Sequence, residues 1–396
     1  MTMRLAYVAD GRSPIARSWI EYFIGAGHEV HLLSTRACAA LPGLASMDIV
    51  SLGGRTTSGA AQGVARTQGT LEAVTALRHW LWPLLAWRRA GLLRGILRQL
   101  RPDLVHALRL PFEGMLAAAA SPEAPLVVST WGNDLTLHAP STPIMRWATR
   151  RSLSRVAGLH ADCERDEGLA GRWGMPPGTP TLVAPGNGGI RRAIFRRSAA
   201  PQEPGFGLPP GAPVAVQPRG LRAYVRNDTF FRSVPIALRR LPSMVFVCPG
   251  MEGAAEALTW RRRLDLDERI RLLPTLDALS MAALFRRAAI SVSPSVHDGT
   301  PNTLLEAMAC GCLPIAGDLE SIREWIRPGE NGILVDPRDP AALADAVVEG
   351  LSDDALRASA ADQNAMIIAE RADYATVMPR AAAFYQDVVR RGAPAL

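Results

Sequence analysis

Short apolar runs alternate with amphipathic helical stretches along most of the chain. Leu5 to Ala9 is a compact apolar run, Gly11 to Pro14 a turn, and Ile15 to Ala26 repeats its apolar positions with helical period. Gly27 closes that helix, and Glu29 to Ser34 begins the next strand. Leu104 to Ala107 and Leu126 to Thr130 read as buried strands, each preceded by a Pro-containing turn, Arg101-Pro102 and Ser121-Pro122. Residues 36 to 70, rich in Gly, Ser and Thr, read as a long loop. Arg197 to Pro213 is Pro- and Gly-rich and reads as a linker. Beyond it the alternation restarts with Val214 to Gln217, Val245 to Cys248, Ile290 to Pro294, Leu313 to Ala316 and Ile333 to Val335. Strands alternating with helices predict parallel, doubly wound α/β sheets. A chain of 396 residues is too long for one ordinary core. Two domains, residues 1–200 and 207–375, and a closing segment 376–396 are expected. Sheets of this kind bind ligands outside the carboxyl ends of their strands.

Composition narrows the chemistry. All 44 basic residues are Arg, against 37 acidic residues, for a formal charge of +7. Without lysine, Schiff-base and P-loop lysine mechanisms are excluded. Excess Arg suits an anionic ligand such as a nucleotide diphosphate, or an anionic surface. The arginines are scattered and no nucleic-acid motif is present, so nucleic acid is not an expected partner. Cys38, Cys163, Cys248, Cys310 and Cys312 are odd in number and lack zinc spacing, so free thiols in a reducing compartment are expected. The opening run MTMRLAYVAD has no signal-peptide pattern. A cytoplasmic location follows as the expectation. Trp80 to Leu97 is the most membrane-like stretch, but Arg88, Arg89 and Arg94 interrupt it, so no span is expected. Its aromatic and basic residues suit peripheral contact with the inner face of a membrane, or equally the aromatic wall of a ligand pocket, while Pro83 and simple core packing argue against the membrane reading.

The segment Ile290 to Glu306, ISVSPSVHDGTPNTLLE, carries the most chemistry. A strand ends at Pro294 and a loop follows with His297, Asp298 and Gly299. Thr300 suits a helix cap and Pro301 the first helical position. The amides of Asn302 and Thr303 then head a helix at the carboxyl end of a strand, where unpaired N–H groups and the helix dipole favour a phosphate. Asp298 precedes the helix and Glu306 lies inside it, so a carboxylate flanks each end of a diphosphate, ready to accept from sugar hydroxyls.

This spacing resembles the E-x7-E signature of retaining GT-B glycosyltransferases, especially glycosyltransferase family four. The likeness runs on through SPSVHDGTPNTLLEAMACGCLPIAG, Arg323-Glu324 and PGENGILVDPRDPAALADAV. The resemblance implies two Rossmann-like domains facing across a cleft. The first would bind the acceptor and the second the nucleotide-sugar donor, with the last helix, Thr376 to Arg391, crossing back. It assigns Asp298 to the donor sugar and Glu306 to the ribose. Gly299, Thr300, Pro301, Asn302, Thr303 and Leu304 would present backbone groups to sugar and diphosphate. The departure is Asp298, where many members carry Glu.

Arg219, after the first strand of the second half, matches the family's diphosphate-clamping Arg. The usual Lys has no clean counterpart; Tyr224 falls near its spacing, and Arg226 is the candidate substitute, while Arg222 reads as structural. In the first half, Ser129-Thr130-Trp131-Gly132-Asn133-Asp134 resembles the family's H-G-x-D segment, with Trp131 in place of His. Asp134 is then a candidate to orient sugar or acceptor, or simply a helix cap. His138 and Trp131 are acceptor-side candidates, as is Arg12 within Asp10-Gly11-Arg12-Ser13, where Gly11 permits close backbone approach to the diphosphate. Pro185 to Ile190 resembles a family turn without its closing Asp and reads as structural. Asp265-Leu266-Asp267 spells a metal motif but sits in a charged turn, and no metal or cofactor is expected. The implied reaction is metal-independent transfer of a sugar from a UDP- or GDP-linked donor to a small-molecule, lipid-linked or glycan acceptor, with retention. A GT-B sugar-nucleotide epimerase and a catalytically silent sugar-nucleotide-binding protein are the rival readings.

Overall fold

A computed structural model describes residues 2–51, 68–198, 206–266 and 269–392, with the main chain alone for 68–78. Asp267, the second acid of the metal-like motif, lies outside the described residues, as do parts of the 36–70 and 197–213 stretches. The chain forms two compact units, Met1–Gly189 with Ala375–Leu396, and Ile190–Tyr374.

The first unit holds strands β1 (Arg4–Ala9), β2 (Glu29–Ser34), β3 (Ser46–Ile49), β4 (Leu104–Ala107), β5 (Leu126–Thr130), β6 (Gly158–Ala161) and β7 (Thr181–Val183). Helices α1 (Pro14–Gly25), α2 (Gln68–Leu100), α3 (Met115–Ala120), α4 (Pro143–Leu153) and α5 (Glu164–Arg172) connect them. The strands form one parallel sheet in the order β3-β2-β1-β4-β5-β6-β7, with Leu5 paired to Val30 on one side and Leu104 on the other. The order reverses between β1 and β4, which opens a crevice at their carboxyl ends.

The second unit holds β8 (Val214–Val216), β9 (Val245–Pro249), β10 (Ile270–Leu273), β11 (Ile290–Ser293), β12 (Leu313–Gly317) and β13 (Ile333–Val335). Its helices are α6 (Asn227–Arg240), α7 (Ala255–Arg263), α8 (Ala278–Arg287), α9 (Asn302–Cys310), α10 (Glu320–Arg323), α11 (Pro340–Ser352) and α12 (Asp354–Ile367). The sheet order β10-β9-β8-β11-β12-β13 places the reversal between β8 and β11. Both faces are covered: Ala215, Ile290 and Leu313 join one core, Val214, Val216 and Ala316 the other. That double burial is why the strands read as continuous apolar runs.

Several elements were not legible. The stretch expected to be a loop contains β3 and the first turn of α2. β6, Gly-Leu-His-Ala, is fully buried yet has a polar centre, His160. β10 carries Arg271 in its middle, and β7 has three residues. The five cysteines are free.

The last helix, α13 (Tyr374–Gly392), lies mainly in the first unit and is tied into its sheet by a buried polar chain. Trp19 Nε1 donates to the Tyr385 hydroxyl at 2.8 Å, and that hydroxyl meets His106 Nδ1 at 2.5 Å. His106 Nε2 meets Ser129 Oγ at 2.8 Å, Ser129 Oγ meets His160 Nδ1 at 2.8 Å, and His160 Nε2 reaches the Ala184 carbonyl at 3.0 Å. Trp can only donate and a carbonyl can only accept, so one proton order satisfies every atom: each group donates to the next, from Trp19 to Ala184. Both histidines must then be neutral. Burial holds them so, pushing His160 down to about 4 and His106 well below its ordinary value.

Candidate active site

In the second unit, the loops after β8 and β11 meet at the strand-order reversal. Backbone bonds join them: Val296 N donates to the Tyr224 carbonyl at 2.9 Å and Arg226 N to the Pro294 carbonyl at 2.9 Å. Arg219 Nη2 reaches Asp298 Oδ2 at 2.7 Å, both side chains only 10% exposed. The Tyr224 ring lies 5.6 Å from the Arg219 guanidinium. Gln217 fixes the start of this loop, accepting from Arg219 N at 3.1 Å and donating to Asn227 at 3.0 Å.

The helix head differs in detail from expectation. α9 begins at Asn302, with Pro301 in the extended cap position rather than the first turn. Thr300 does not cap it; its hydroxyl accepts from Trp325 Nε1 at 3.0 Å. Trp325 is buried below the loop, so the indole takes the oxygen that a cap would have used. Leu304 and Leu305 both donate back to Pro301, leaving the Asn302 and Thr303 amides at the head. Ser321 Oγ donates to the Asp298 carbonyl at 2.7 Å and holds the Asp298-Gly299 turn in place. Two donors here are buried without a hydrogen-bond partner, Arg219 Nε and Thr303 Oγ1. Unsatisfied buried donors beside a cation and a helix N-terminus suit an anionic ligand. Glu306 projects from the same helix, and burial pushes its carboxyl up to about 7, with Arg219 opposing the shift.

Arg226 departs from its assigned role. Its guanidinium is closed in a two-point pair with Asp228, at 2.8 and 2.7 Å, because the two residues lie two apart at the head of α6. What Arg226 gives the site is its main chain. Arg222 donates to the Arg219 carbonyl at 2.9 Å.

Gly317, at the end of β12, backs the same loop. A Cβ there would overlap the Ser295 carbonyl oxygen and come within 3.2 Å of Pro337. Backbone cannot swing aside as a side chain can. Gly317→Ala is therefore expected to destabilise the second unit by about 1–3 kcal/mol; an unchanged urea midpoint would show that the loop yields freely.

In the first unit, a cavity of about 270 Å3 opens at the reversal between β1 and β4. Asp10 and Ser13 follow β1; Leu108, Arg109, Phe112 and Glu113 follow β4. Trp131 and His138 line it after β5, with Arg36 and, from α2, His79 and Trp82. Three of the sequence-named residues serve it from behind. Gly11 is buried and packs so tightly that a Cβ would overlap Cys38 Sγ and lie 2.9 Å from Ser34 Oγ; its smallness answers to those neighbours. Arg12 turns back onto Asp10, at 3.0 and 2.7 Å, and is 57% exposed. Asp134 is fully buried and does not line the cavity; it accepts from Arg109 Nε at 3.1 Å and Trp131 N at 3.0 Å. Burial pushes its carboxyl up to about 6 against the pull of Arg109. Its observed contacts are those of a loop clamp and an orienter of Arg109. Gly132 in that loop is pinned at both ends, donating to Asp162 at 2.9 Å and accepting from Arg165 at 2.8 Å. The Trp131 indole lies against Gly186, 3.1 Å from where a Cβ would sit.

Sequence reasoning missed Arg36, Arg109, Phe112 and Glu113. A signal did exist, because Arg109 to Gly114 directly follow a strand end, where loops carry function. The backbone there is strained: Arg109 has φ 144° and Phe112 φ 74°, the left-handed half of the map where side chains are disfavoured.

Two family models match the chain, one described as Glycosyl transferase 4-like domain over residues 11–186, the other as Glycosyl transferases group 1 over residues 221–353. A D-inositol 3-phosphate glycosyltransferase from Thermobispora bispora is 28% identical over 229 residues, 54% of this chain and 52% of that protein. The chain thus spans about half the length of that curated relative. Among solved structures, sucrose-phosphate synthase from Thermosynechococcus elongatus superposes with a TM-score of 0.76 at 14% identity, covering 98% of this chain and 100% of the other. Anabaena HepE in complex with UDP-glucose gives 0.70 at 15% identity, with 97% and 100% covered. These likenesses establish the fold as GT-B, with two Rossmann-like units. With both units matched in chain order by the two models, the protein belongs to the group 1 glycosyl transferases, of glycosyltransferase family four type.

Proposed function

We propose that this protein transfers a sugar from a nucleoside-diphosphate sugar to a hydroxyl-bearing acceptor, with retention and without a metal. The observation that carries the reading is the Arg219–Asp298 pair at the head of α9, with Glu306 further along the same helix. Arg219 and the α9 amides take the diphosphate, Asp298 the donor sugar and Glu306 the ribose. As the bond from C1 to the diphosphate oxygen breaks, the acceptor oxygen bonds C1 and its proton passes to the leaving phosphate. Arg219 offsets the charge that grows on that phosphate. Support for such a donor comes from HepE, whose structure holds UDP-glucose, and support for glycosyl transfer from the relative named a D-inositol 3-phosphate glycosyltransferase. The test is nucleotide release from UDP- and GDP-sugars. Turnover at the wild-type rate in an Asp298→Ala, Glu306→Ala double variant would reject the site. Interconversion of sugar nucleotides without an acceptor, followed by NMR, would indicate an epimerase instead.

We also place the reaction beside an anionic membrane surface. No helix among the described residues is long and apolar enough to cross a membrane. Yet the outward face of α2 exposes Trp80, Leu81, Leu84, Trp87 and Leu92, each 44–53% accessible, and Trp147 of α4 meets Trp87 edge-on at 4.4 Å. Exposed Arg88, Arg89, Arg150 and Arg151 flank them. Apolar surface ringed by cations binds anionic interfaces. Co-sedimentation with phosphatidylglycerol vesicles, but not phosphatidylcholine vesicles, is expected and should fall at least tenfold in Trp80→Ser, Trp87→Ser. Equal binding to both lipids would remove the electrostatic part of the proposal.

A further inference from the structure

The loop 295–301 is gripped from one side by α10 and the turn after it. Ser321 Oγ donates to the Asp298 carbonyl at 2.7 Å, and Trp325 Nε1 donates to Thr300 Oγ1 at 3.0 Å. The two donors are four residues apart and the two acceptors are two apart. Four residues of helix rise about 6 Å, and two residues of extended chain span at most about 7 Å. One helical turn therefore matches the spacing along the loop, and both bonds form together. The helical path does reach Trp325, because Trp325 N and Ile326 N both donate to the Ile322 carbonyl at 2.9 Å. Ser321, Thr300 and Trp325 are all buried. A buried indole needs an acceptor for its N–H. Here that acceptor is a side chain between Asp298 and the α9 amides, so the bond fixes the loop as well as the indole.

The grip is itself braced from two directions. Asn331 Nδ2 donates to the Trp325 carbonyl and to Asn364 Oδ1, both at 2.9 Å, and Asn331 Oδ1 accepts from Arg327 N at 2.7 Å. The Asn331 amide thus ties the turn after Trp325 to α12. Arg371 holds the other side. Its guanidinium lies 4.5 Å from the Trp325 ring centroid, and its Nη1 donates to the Glu324 carbonyl at 2.6 Å. Glu324 is the C-cap of α10, so Arg371 both stacks on the indole and caps the helix that leads to it. Arg371 belongs to the turn Ile368–Ala372, close to where the chain leaves the second unit after Tyr374. There the Ala372 carbonyl accepts from Ile190 N at 2.6 Å, and Tyr374 N donates to the Ile190 carbonyl at 3.0 Å. The entering and leaving segments of the unit are therefore bonded to each other beside Arg371.

We propose that Ser321 and Trp325 are positioning residues, a two-point clamp that holds the Asp298 loop and the head of α9 ready for a nucleotide diphosphate, and that Arg371 sets the clamp from the segment by which the chain leaves the unit. The clamp rests on the donor reading and deepens it. Neither residue touches the ligand; they act through the Asp298 carbonyl and the Thr300 hydroxyl. A loop ordered beforehand loses little freedom on binding, and a loop missing a pin must be ordered by the ligand.

The test titrates the whole chain with UDP and with GDP by calorimetry and follows whichever binds more tightly. Trp325→Phe keeps an aromatic ring against Arg371 and loses the N–H. Thr300→Val keeps the shape and loses the hydroxyl, and Ser321→Ala removes the other pin. Each is expected to weaken nucleotide binding about tenfold, the scale of one buried hydrogen bond. Thr300→Ser restores the oxygen and should stay within twofold of wild type, a comparison that decides the matter even if Trp325→Phe fails to fold. The double variant Trp325→Phe, Thr300→Val should bind no worse than either single one, because all three lack the same bond. Arg371→Gln should weaken binding about threefold, since an exposed cation contributes less. Arg240→Gln, which loses only its pair with Asp345, should leave binding unchanged.

Fluorine NMR separates positioning from a role in folding alone. In the fluorotryptophan-labelled chain the Trp325 resonance is the one lost in Trp325→Phe. It should move on nucleotide binding, because a residue that sets affinity responds to the ligand in turn. Affinity within twofold of wild type in Trp325→Phe, Thr300→Val and Ser321→Ala would overturn the clamp. So would a Trp325 resonance that stays still while nucleotide saturates the protein. Were neither UDP nor GDP to bind the wild-type chain, the donor reading would fall and the clamp with it. Ordinary nucleotide binding that ignores the clamp variants removes the clamp alone.

Discussion

Arg219→Ala is expected to lower kcat for sugar transfer by about 10²–10³-fold, the cost of losing one preorganised donor to a developing anion. Three consequences of the geometry converge on this residue. Arg219 brings positive charge to the head of α9 through a side chain only 10% exposed, so its field is weakly screened. It is bonded to Asp298, whose carboxylate would lose that partner in the same low-dielectric loop. It also opposes the upward shift of Glu306, so its removal favours the protonated form of the carboxyl proposed to hold the ribose. Arg219→Lys should recover part of the loss, because charge is kept and the forked geometry is not. Steady-state nucleotide release measures both variants. A kcat within threefold of wild type in Arg219→Ala would remove this residue from the chemistry.

Tyr385→Phe is expected to destabilise the first unit by roughly 2–5 kcal/mol. The change removes one oxygen and leaves two buried partners, Trp19 Nε1 and His106 Nδ1, without their bonds, each costing about 1–3 kcal/mol. Urea unfolding followed by tryptophan fluorescence reads the loss, and a midpoint unchanged by the substitution would show that the chain of bonds is dispensable. The same chain gives the unit an acid limit. Folding lowers the His160 pKa from 6.5 to about 4 because the ring is buried. Its contribution is therefore present in full above pH 6.5 and lost as pH falls through 4. The span corresponds to about 3 kcal/mol at 1.36 kcal/mol per pH unit. Stability of the first unit should accordingly fall between pH 6.5 and 4, and a flat profile over that window would contradict the neutral-histidine arrangement.

The segment proposed to hold the donor could be picked out from the sequence because its information is local. Asp298, Glu306 and the α9 amides lie within one strand–loop–helix segment, and helical period alone fixes their spacing. Even there a long-range contact intervened: the Trp325 indole takes the Thr300 oxygen, so the helix starts one residue later than its sequence suggests. Arg226 shows that local contacts also matter, because its guanidinium pairs with Asp228, two residues on. Its charge is visible in the sequence, but its pairing with Asp228 depends on how α6 begins. The cavity side was mostly illegible. Arg36, His79, Arg109 and Trp131 are separated by tens of residues and converge only because β1 and β4 are neighbours in the sheet.

By itself, the sequence determined what depends on neighbours along the chain: the two alternating α/β units, the strand–loop–helix segment that carries Asp298 and Glu306, and the absence of lysine chemistry. Periodicity, capping and motif spacing act over a few residues and so survive without a fold. Tertiary structure alone decided which charges are spent and which remain. Asp134 is closed by Arg109, 25 residues back along the chain, and Arg219 by Asp298, 79 residues on, while Arg36 lies against the Trp82 ring in the cavity wall. The physical reason is that a charge is set by its partners and its burial, and both are fixed by contacts between residues distant in the chain.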